Sequence, residues 1–179
     1  LIESGMESMI LDLRFNGGGY LHQAINIADE FLKKNKLIVY TEGAHSKKRT
    51  FFSSSKGLFE NGKLIILVNS STASASEIVS GAIQDNNRGI ILGRRTFGKG
   101  LVQQPLLLPD SSELRITTSR YYTPSGKCIQ KPYGDSIDYD NDLFERIESG
   151  ELTQIDSLKN SRSVNVTTPI TKYKYSDIL

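Results

Sequence analysis

Between Met9 and Thr41 the hydrophobic period switches twice, and no other feature limits the fold of this chain as much. Met9-Ile10-Leu11-Asp12-Leu13-Arg14 reads as a short buried strand, and Asn16-Gly17-Gly18-Gly19 breaks it. Leu21, Ala24, Ile25, Ala28, Phe31 and Leu32 then recur at helical spacing, which predicts an amphipathic helix over 20–34. Leu37 to Thr41 is the next strand, so strand, helix and strand form a βαβ unit with the glycines at the first strand's C-terminal end. The pattern returns downstream. Lys63 to Asn69 is nearly all apolar, as in a parallel strand covered on both faces, and a helix over Ser74 to Asn86 and a strand over Gly89 to Gly93 follow. Residues 43–57 are polar and serine-rich and read as a hairpin excursion or a mobile loop. Leu101 to Leu108 and Leu114 to Tyr122 flank Pro109-Asp110-Ser111-Ser112-Glu113, which predicts a hairpin with a longer loop. The fold class is therefore α/β, with a mixed β-sheet, βαβ units and flanking helices.

At 179 residues and 37% hydrophobic, the chain can bury one sizeable core. Residues 1–130 carry the patterned part. Residues 131–179 are acidic near Asp135, Asp138, Asp140, Asp142, Glu145 and Glu148, and read as a partly irregular extension of the same domain with a short helix near 141–149. A net charge of +2 with mixed signs gives no electrostatic footprint for nucleic acid. No apolar run reaches the roughly 18 residues of a membrane span. The chain opens on Leu1-Ile2-Glu3, which reads as a fragment of a longer precursor. Cys128 is the only cysteine, which excludes an internal disulfide and a cysteine-based metal cluster.

Two residues stand out chemically. Ser74 lies between a strand and a helix, in Ser70-Ser71-Thr72-Ala73-Ser74-Ala75-Ser76-Glu77. As a purely structural residue it is a helix N-cap, with Ser74-x-x-Glu77 as a capping box. The same position serves catalysis. A serine at a helix start beyond a strand sits at the sheet edge where open α/β sheets place ligands, and the amide of Ala75 becomes an oxyanion donor. Lys99 lies in Thr96-Phe97-Gly98-Lys99-Gly100. Its plain reading is a surface charge. A phosphate loop fails, because Gly100 stands where the Walker pattern needs Ser or Thr. A lysine acts as general base only when neutral, which asks for burial or a nearby cation to bring an ammonium from about 10.4 toward 7–8. Phe97 and Leu101 are the expected apolar cover.

Gly17-Gly18-Gly19 is either a flexible helix entry or a second source of oxyanion amides, since glycine lets backbone approach a ligand. Asp12 and Arg14 are placed to pair and shape this loop. Asp138-x-Asp140-x-Asp142 lacks the turn glycine and the final glutamate of a calcium loop and reads as a solvated acidic turn. Nothing positions His22 or His45, the only histidines, for a Ser-His-Asp triad, though sequence leaves that arrangement open.

Taken in order, five stretches resemble the carboxyl-terminal processing peptidases, or tail-specific proteases. They are Leu11-Asp12-Leu13-Arg14-Phe15-Asn16-Gly17-Gly18-Gly19, Val68-Asn69 through Ser74-Ala75-Ser76-Glu77-Ile78, Gln84-Asp85-Asn86, Thr96 through Gln103, and Thr117 through Gly126. The resemblance runs from Met9 to Gln130. It implies a crotonase-like (ClpP-like) core and a Ser–Lys dyad, with Ser74 as nucleophile and Lys99 as base. Gln103 falls on a glutamine that orients the lysine, and Asp85 on a supporting aspartate of the helix. Ala75 and one of Gly18 or Gly19 fall on the oxyanion donors. Gly17 stands where the family often has proline. The implied substrate is a protein or peptide with an exposed C-terminus, with no metal or cofactor. The implied setting is the bacterial cell envelope, with a possible homo-oligomer. The family's N-terminal helical segment, PDZ domain and first core strands have no counterpart here.

Two other functions compete. One is a non-catalytic ligand- or protein-binding module on the same fold, which has no need of both Ser74 and Lys99. The other is a crotonase-type acyl-CoA enzyme, which gives Phe97-Gly98-Lys99-Gly100 no role.

Overall fold

The computed structural model describes residues 1–132, 141–148 and 150. The acidic residues Asp135, Asp138 and Asp140, and everything from 151 onward, lie outside the described residues.

Ten elements follow one another: β1 (Ser8–Asp12), α1 (Leu21–Asp29), β2 (Leu37–Gly43), β3 (Ser46–Phe52), β4 (Lys63–Val68), α2 (Ala75–Asp85), β5 (Ile90–Gly93), β6 (Leu101–Leu107), β7 (Glu113–Tyr122) and α3 (Asp142–Glu148). They build two sheets among the described residues. A parallel one runs β1-β4-β5 and an antiparallel one runs β3-β2-β7-β6. The α/β class with a mixed set of strands is thus the observed architecture.

The first βαβ expectation needs correcting. β1 and β2 sit in different sheets: β1 pairs with β4, while β2 pairs with β3 and β7. The true βαβ unit is β4-α2-β5, whose strands are parallel neighbours. β4 also departs from two-sided cover. Leu64, Ile66 and Val68 are buried while Ile65 and Leu67 are half-buried, so its helix-facing side is the dry one.

α1 stops at Asp29, short of the predicted 34. The reason is tertiary capture. Glu30 O accepts from Phe59 N at 2.9 Å and the Glu30 carboxylate from Leu58 N at 3.0 Å, while Phe31 N turns back to Ala28 O. A crossing segment takes the groups a longer helix would have used, yet Phe31 and Leu32 stay in the core. Residues 43–57 prove to hold β3, the antiparallel hairpin partner of β2.

α2 sits at the centre. Ala75 through Ile83 are all buried, with Ile78, Val79, Ala82 and Ile83 packed into the cluster that includes Ala28, Ile38 and Ile66. Each buried Ile or Val side chain contributes about 1.5–3 kcal/mol. α2, which begins just after Ser74, is therefore anchored in the core from Ala75 to Ile83, and its N-terminus is a fixed reference point.

Candidate active site

β4 delivers the chain to the sheet's C-terminal edge, and a five-residue loop over 69–73 then leads to α2. Thr72 pins this loop: its side-chain oxygen donates to Leu13 O at 2.8 Å and accepts from Asn69 N at 2.9 Å. Asn69 Oδ1 in turn accepts from Phe15 N at 3.0 Å, so the loop after β4 and the loop after β1 are one hydrogen-bonded unit.

Ser74 stands at the N-cap of α2 with φ 56° and ψ −116°. An ordinary N-cap residue has extended backbone. This left-sided conformation is sterically costly for a residue with a Cβ and persists only where surroundings enforce it. The next amide, that of Ala75, opens the helix and has no intrahelical acceptor by position.

Gly18 lies directly against this turn. A Cβ on Gly18 would come 2.6 Å from Ala73 O, 2.7 Å from Ala75 N and 2.8 Å from Ser74 Cβ, and its φ is +94°. Only glycine permits so close an approach. Asn16 fastens the two together. Its backbone O accepts from Ala73 N at 3.0 Å, and its Oδ1 accepts from Gly18 N and from Ser76 Oγ, both at 2.9 Å. The Gly18 amide is therefore engaged, whereas the Gly19 amide has no partner among the described residues. At the edge of the same loop, Arg14 grips the Asp12 carboxylate with Nη2 at 2.7 Å, as expected.

Glu77 joins Ser74 to the Lys99 loop. Its side chain is fully buried, and four donors converge on it. Oε2 accepts from Ser74 N at 2.7 Å and from Lys99 N at 2.8 Å; Oε1 accepts from Gly98 N at 2.6 Å and from Thr96 Oγ1 at 2.7 Å. The backbone amides of both singled-out residues thus hang on one oxygen. Burial pushes the Glu77 carboxyl above its ordinary value despite the four donors that favour the ion. Sequence reasoning took Glu77 for half of a capping box. That half exists, but the spacing Ser74-x-x-Glu77 carries no sign of the donors from 96–99.

The remaining predicted residues fall as follows. Lys99 is exposed, and its Nζ has no hydrogen bond or ion pair among the described residues. The expected apolar cover is absent, because Phe97 is itself 39% exposed, with Lys131 Nζ 5.3 Å from its ring. No hydrogen bond joins Ser74 Oγ to Lys99 Nζ or Lys99 to Gln103 among the described residues. Gln103 sits just after a register shift in β6, a bulge of the kind that re-aims a side chain. Asp85 ends α2, and its Oδ2 accepts from Ser125 N at 2.9 Å, bracing the turn after β7. His22 stacks on Tyr20 and His45 lies in the β2–β3 turn, and neither bonds to Ser74.

Comparison with known proteins bears on the family and the fold. The chain is 46% identical over 126 residues to a carboxy-terminal-processing protease of Bartonella bacilliformis, covering 70% of this chain and 29% of that protein. It is 41% identical over 131 residues to a carboxyl-terminal-processing protease of Synechocystis sp., covering 73% and 30%. Among solved structures, a photosystem II D1 C-terminal processing protease superposes with a TM-score of 0.67 at 36% identity, covering 72% of this chain and 33% of that one. The chain thus spans under a third of the length of these curated relatives. The sequence pattern of peptidase family S41 matches residues 1–141, and the chain belongs to that family.

Proposed function

We propose that this chain carries the chemical centre of a serine endopeptidase that cleaves proteins near their C-termini, with Ser74 as nucleophile and Lys99 as base. One observation supports this above the rest: Ser74 N and Lys99 N share Glu77 Oε2, which holds a strained serine turn and a lysine loop side by side.

In this reading Lys99, deprotonated once bound substrate buries it, takes the Ser74 hydroxyl proton as Oγ attacks a peptide carbonyl. The oxyanion is met by the Ala75 amide and by Gly19, since the Gly18 amide is spent on Asn16. Loss of one such donor typically costs about 10²–10³ in rate. Lys99 then passes the proton to the leaving amine, and water releases the acyl-enzyme. Gln103 orients the lysine and Asp85 supports the helix end. Catalytic hydrogen bonds often tighten only around substrate, so the open Ser74–Lys99 gap is compatible with this chemistry. The substrate is a protein with an exposed C-terminus, and the bacterial cell envelope and a crotonase-like core belong to the same reading.

The exposure of Lys99 favours a second reading, a binding module that keeps the fold without turnover. Labelling with a fluorophosphonate, read by intact mass, separates them. The peptidase predicts one adduct at Ser74, none in Ser74→Ala and labelling slowed at least about 10²-fold in Lys99→Ala. Absence of any adduct, on this chain and on a longer form containing it, refutes the peptidase.

A further inference from the structure

α3 begins at Asp142, just past the residues matched to the family, yet it is tied to the Lys99 loop. Asp142 Oδ2 lies 3.0 Å from Lys131 Nζ and 3.9 Å from Arg146 Nη1, and Oδ1 lies 3.5 Å from Arg95 Nη2. The Arg146 side chain is only 5% exposed, and its Nη2 donates to Arg95 O at 2.8 Å. One carboxylate therefore gathers cations from three parts of the chain: the segment before Lys99, the segment after β7, and α3 itself.

The contacts continue inward without a gap. Lys131 N donates to Gly98 O at 3.0 Å, and Gly98 packs so tightly there that a Cβ would sit 2.8 Å from Lys131 Cβ. Gly98 N and Lys99 N then donate to Glu77. The loop over 95–99 is thus held from two sides, by Glu77 within and by the Asp142 cluster without. Partly sheltered charge pairs with several partners resist screening and fix geometry better than lone surface pairs.

We propose that Asp142 is a positioning residue that clamps α3 onto the 95–99 loop and so keeps the Lys99 backbone in register with Ser74. The role given to Lys99 rests on the peptidase reading; the clamp itself does not. Hydrogen exchange on the chain tests the clamp without requiring activity. Asp142→Asn should speed exchange of peptides over 96–100 about tenfold and leave β4 and α2 unchanged, with Asp142→Glu restoring much of the protection. Lys131→Met, which keeps the stem against Gly98 and deletes one cation, should give a smaller change in the same place. It decides the matter where Asp142→Asn folds poorly. Fluorophosphonate labelling of Asp142→Asn should show a maximal rate about tenfold lower with unchanged half-saturation, a split that general loss of structure does not produce. Exchange equal to wild type, or acceleration spread evenly over β4 and α2, overturns the clamp. A wild type left unlabelled both as this chain and as a longer form containing it, with the local exchange change intact, overturns the peptidase reading instead.

Discussion

Glu77→Ala removes the acceptor of three backbone amides and one hydroxyl; the Gly98 amide and the Thr96 hydroxyl are buried, the Ser74 and Lys99 amides part-buried. A buried N–H left without a partner costs roughly 1–3 kcal/mol, so three of them, two only part-buried, cost at most about 3–9 kcal/mol. Release of a desolvated charge offsets part of this, which points to the lower half of the range. Against a typical total of about 5–15 kcal/mol, the variant stands near the edge of folding. Glu77→Gln is gentler for a geometric reason. Its carbonyl can keep Ser74 N and Lys99 N, its NH2 can donate to Thr96 Oγ1, and only Gly98 N loses its acceptor. That leaves about 1–3 kcal/mol. Urea unfolding measures both, with the midpoint falling further for Ala than for Gln at constant slope. The Gln variant should still be labelled at Ser74, more slowly, because the Lys99 loop loses its Gly98 tether. An Ala variant within about 1 kcal/mol of wild type, or no less stable than Gln, would mean that the carboxylate is not what joins the two loops.

Ser74→Gly relieves the costly backbone at φ 56° and should raise stability by about 1–3 kcal/mol while abolishing labelling. Ser74→Ala abolishes labelling without that gain, and equal stabilisation by both would exclude backbone strain as the source. Gly18→Ala drives a Cβ into Ala73 O and Ala75 N, backbone atoms that cannot swing aside. Its melt should drop and its Ser74 labelling fall about 10²-fold, so wild-type behaviour in both assays would disprove the close packing of Gly18 on the Ser74 turn. Because Glu77 titrates above its ordinary 4.5 in the fold, the folded chain binds more protons than the unfolded one from there up to the raised value. Stability should fall as pH rises through that window, and urea midpoints of Glu77→Gln should lack this slope.

The local part of the site was legible because it is local. The apolar run over 63–69, the break at Asn16-Gly17-Gly18-Gly19 and the serine at a helix start all follow from spacing along the chain. So did β5, the β6–β7 pair and α3. Illegible features depend on which distant segment arrives. α1 ends early because residues 58 and 59 capture Glu30, and β1 lies beside β4 rather than β2. Glu77 looked complete as a cap, since a carboxylate's spare lone pairs leave no trace in sequence. Lys99 looked coverable by its neighbours, but Phe97 is itself exposed, with Lys131 packed against Gly98 and its Nζ over the Phe97 ring.

The shared oxygen of Glu77 also says what kind of motion can switch this centre. With Ser74 N and Lys99 N on one atom, the two backbones cannot drift apart without breaking a hydrogen bond to a buried carboxylate. What remains free is the lysine stem, four methylenes long and exposed. On the peptidase reading, the distance from base to nucleophile is then set by side-chain torsions, which turn over in picoseconds to nanoseconds, rather than by slower travel of a loop. An off state of such a centre resembles a swung arm more than an opened gate, and whatever presses on that arm governs it.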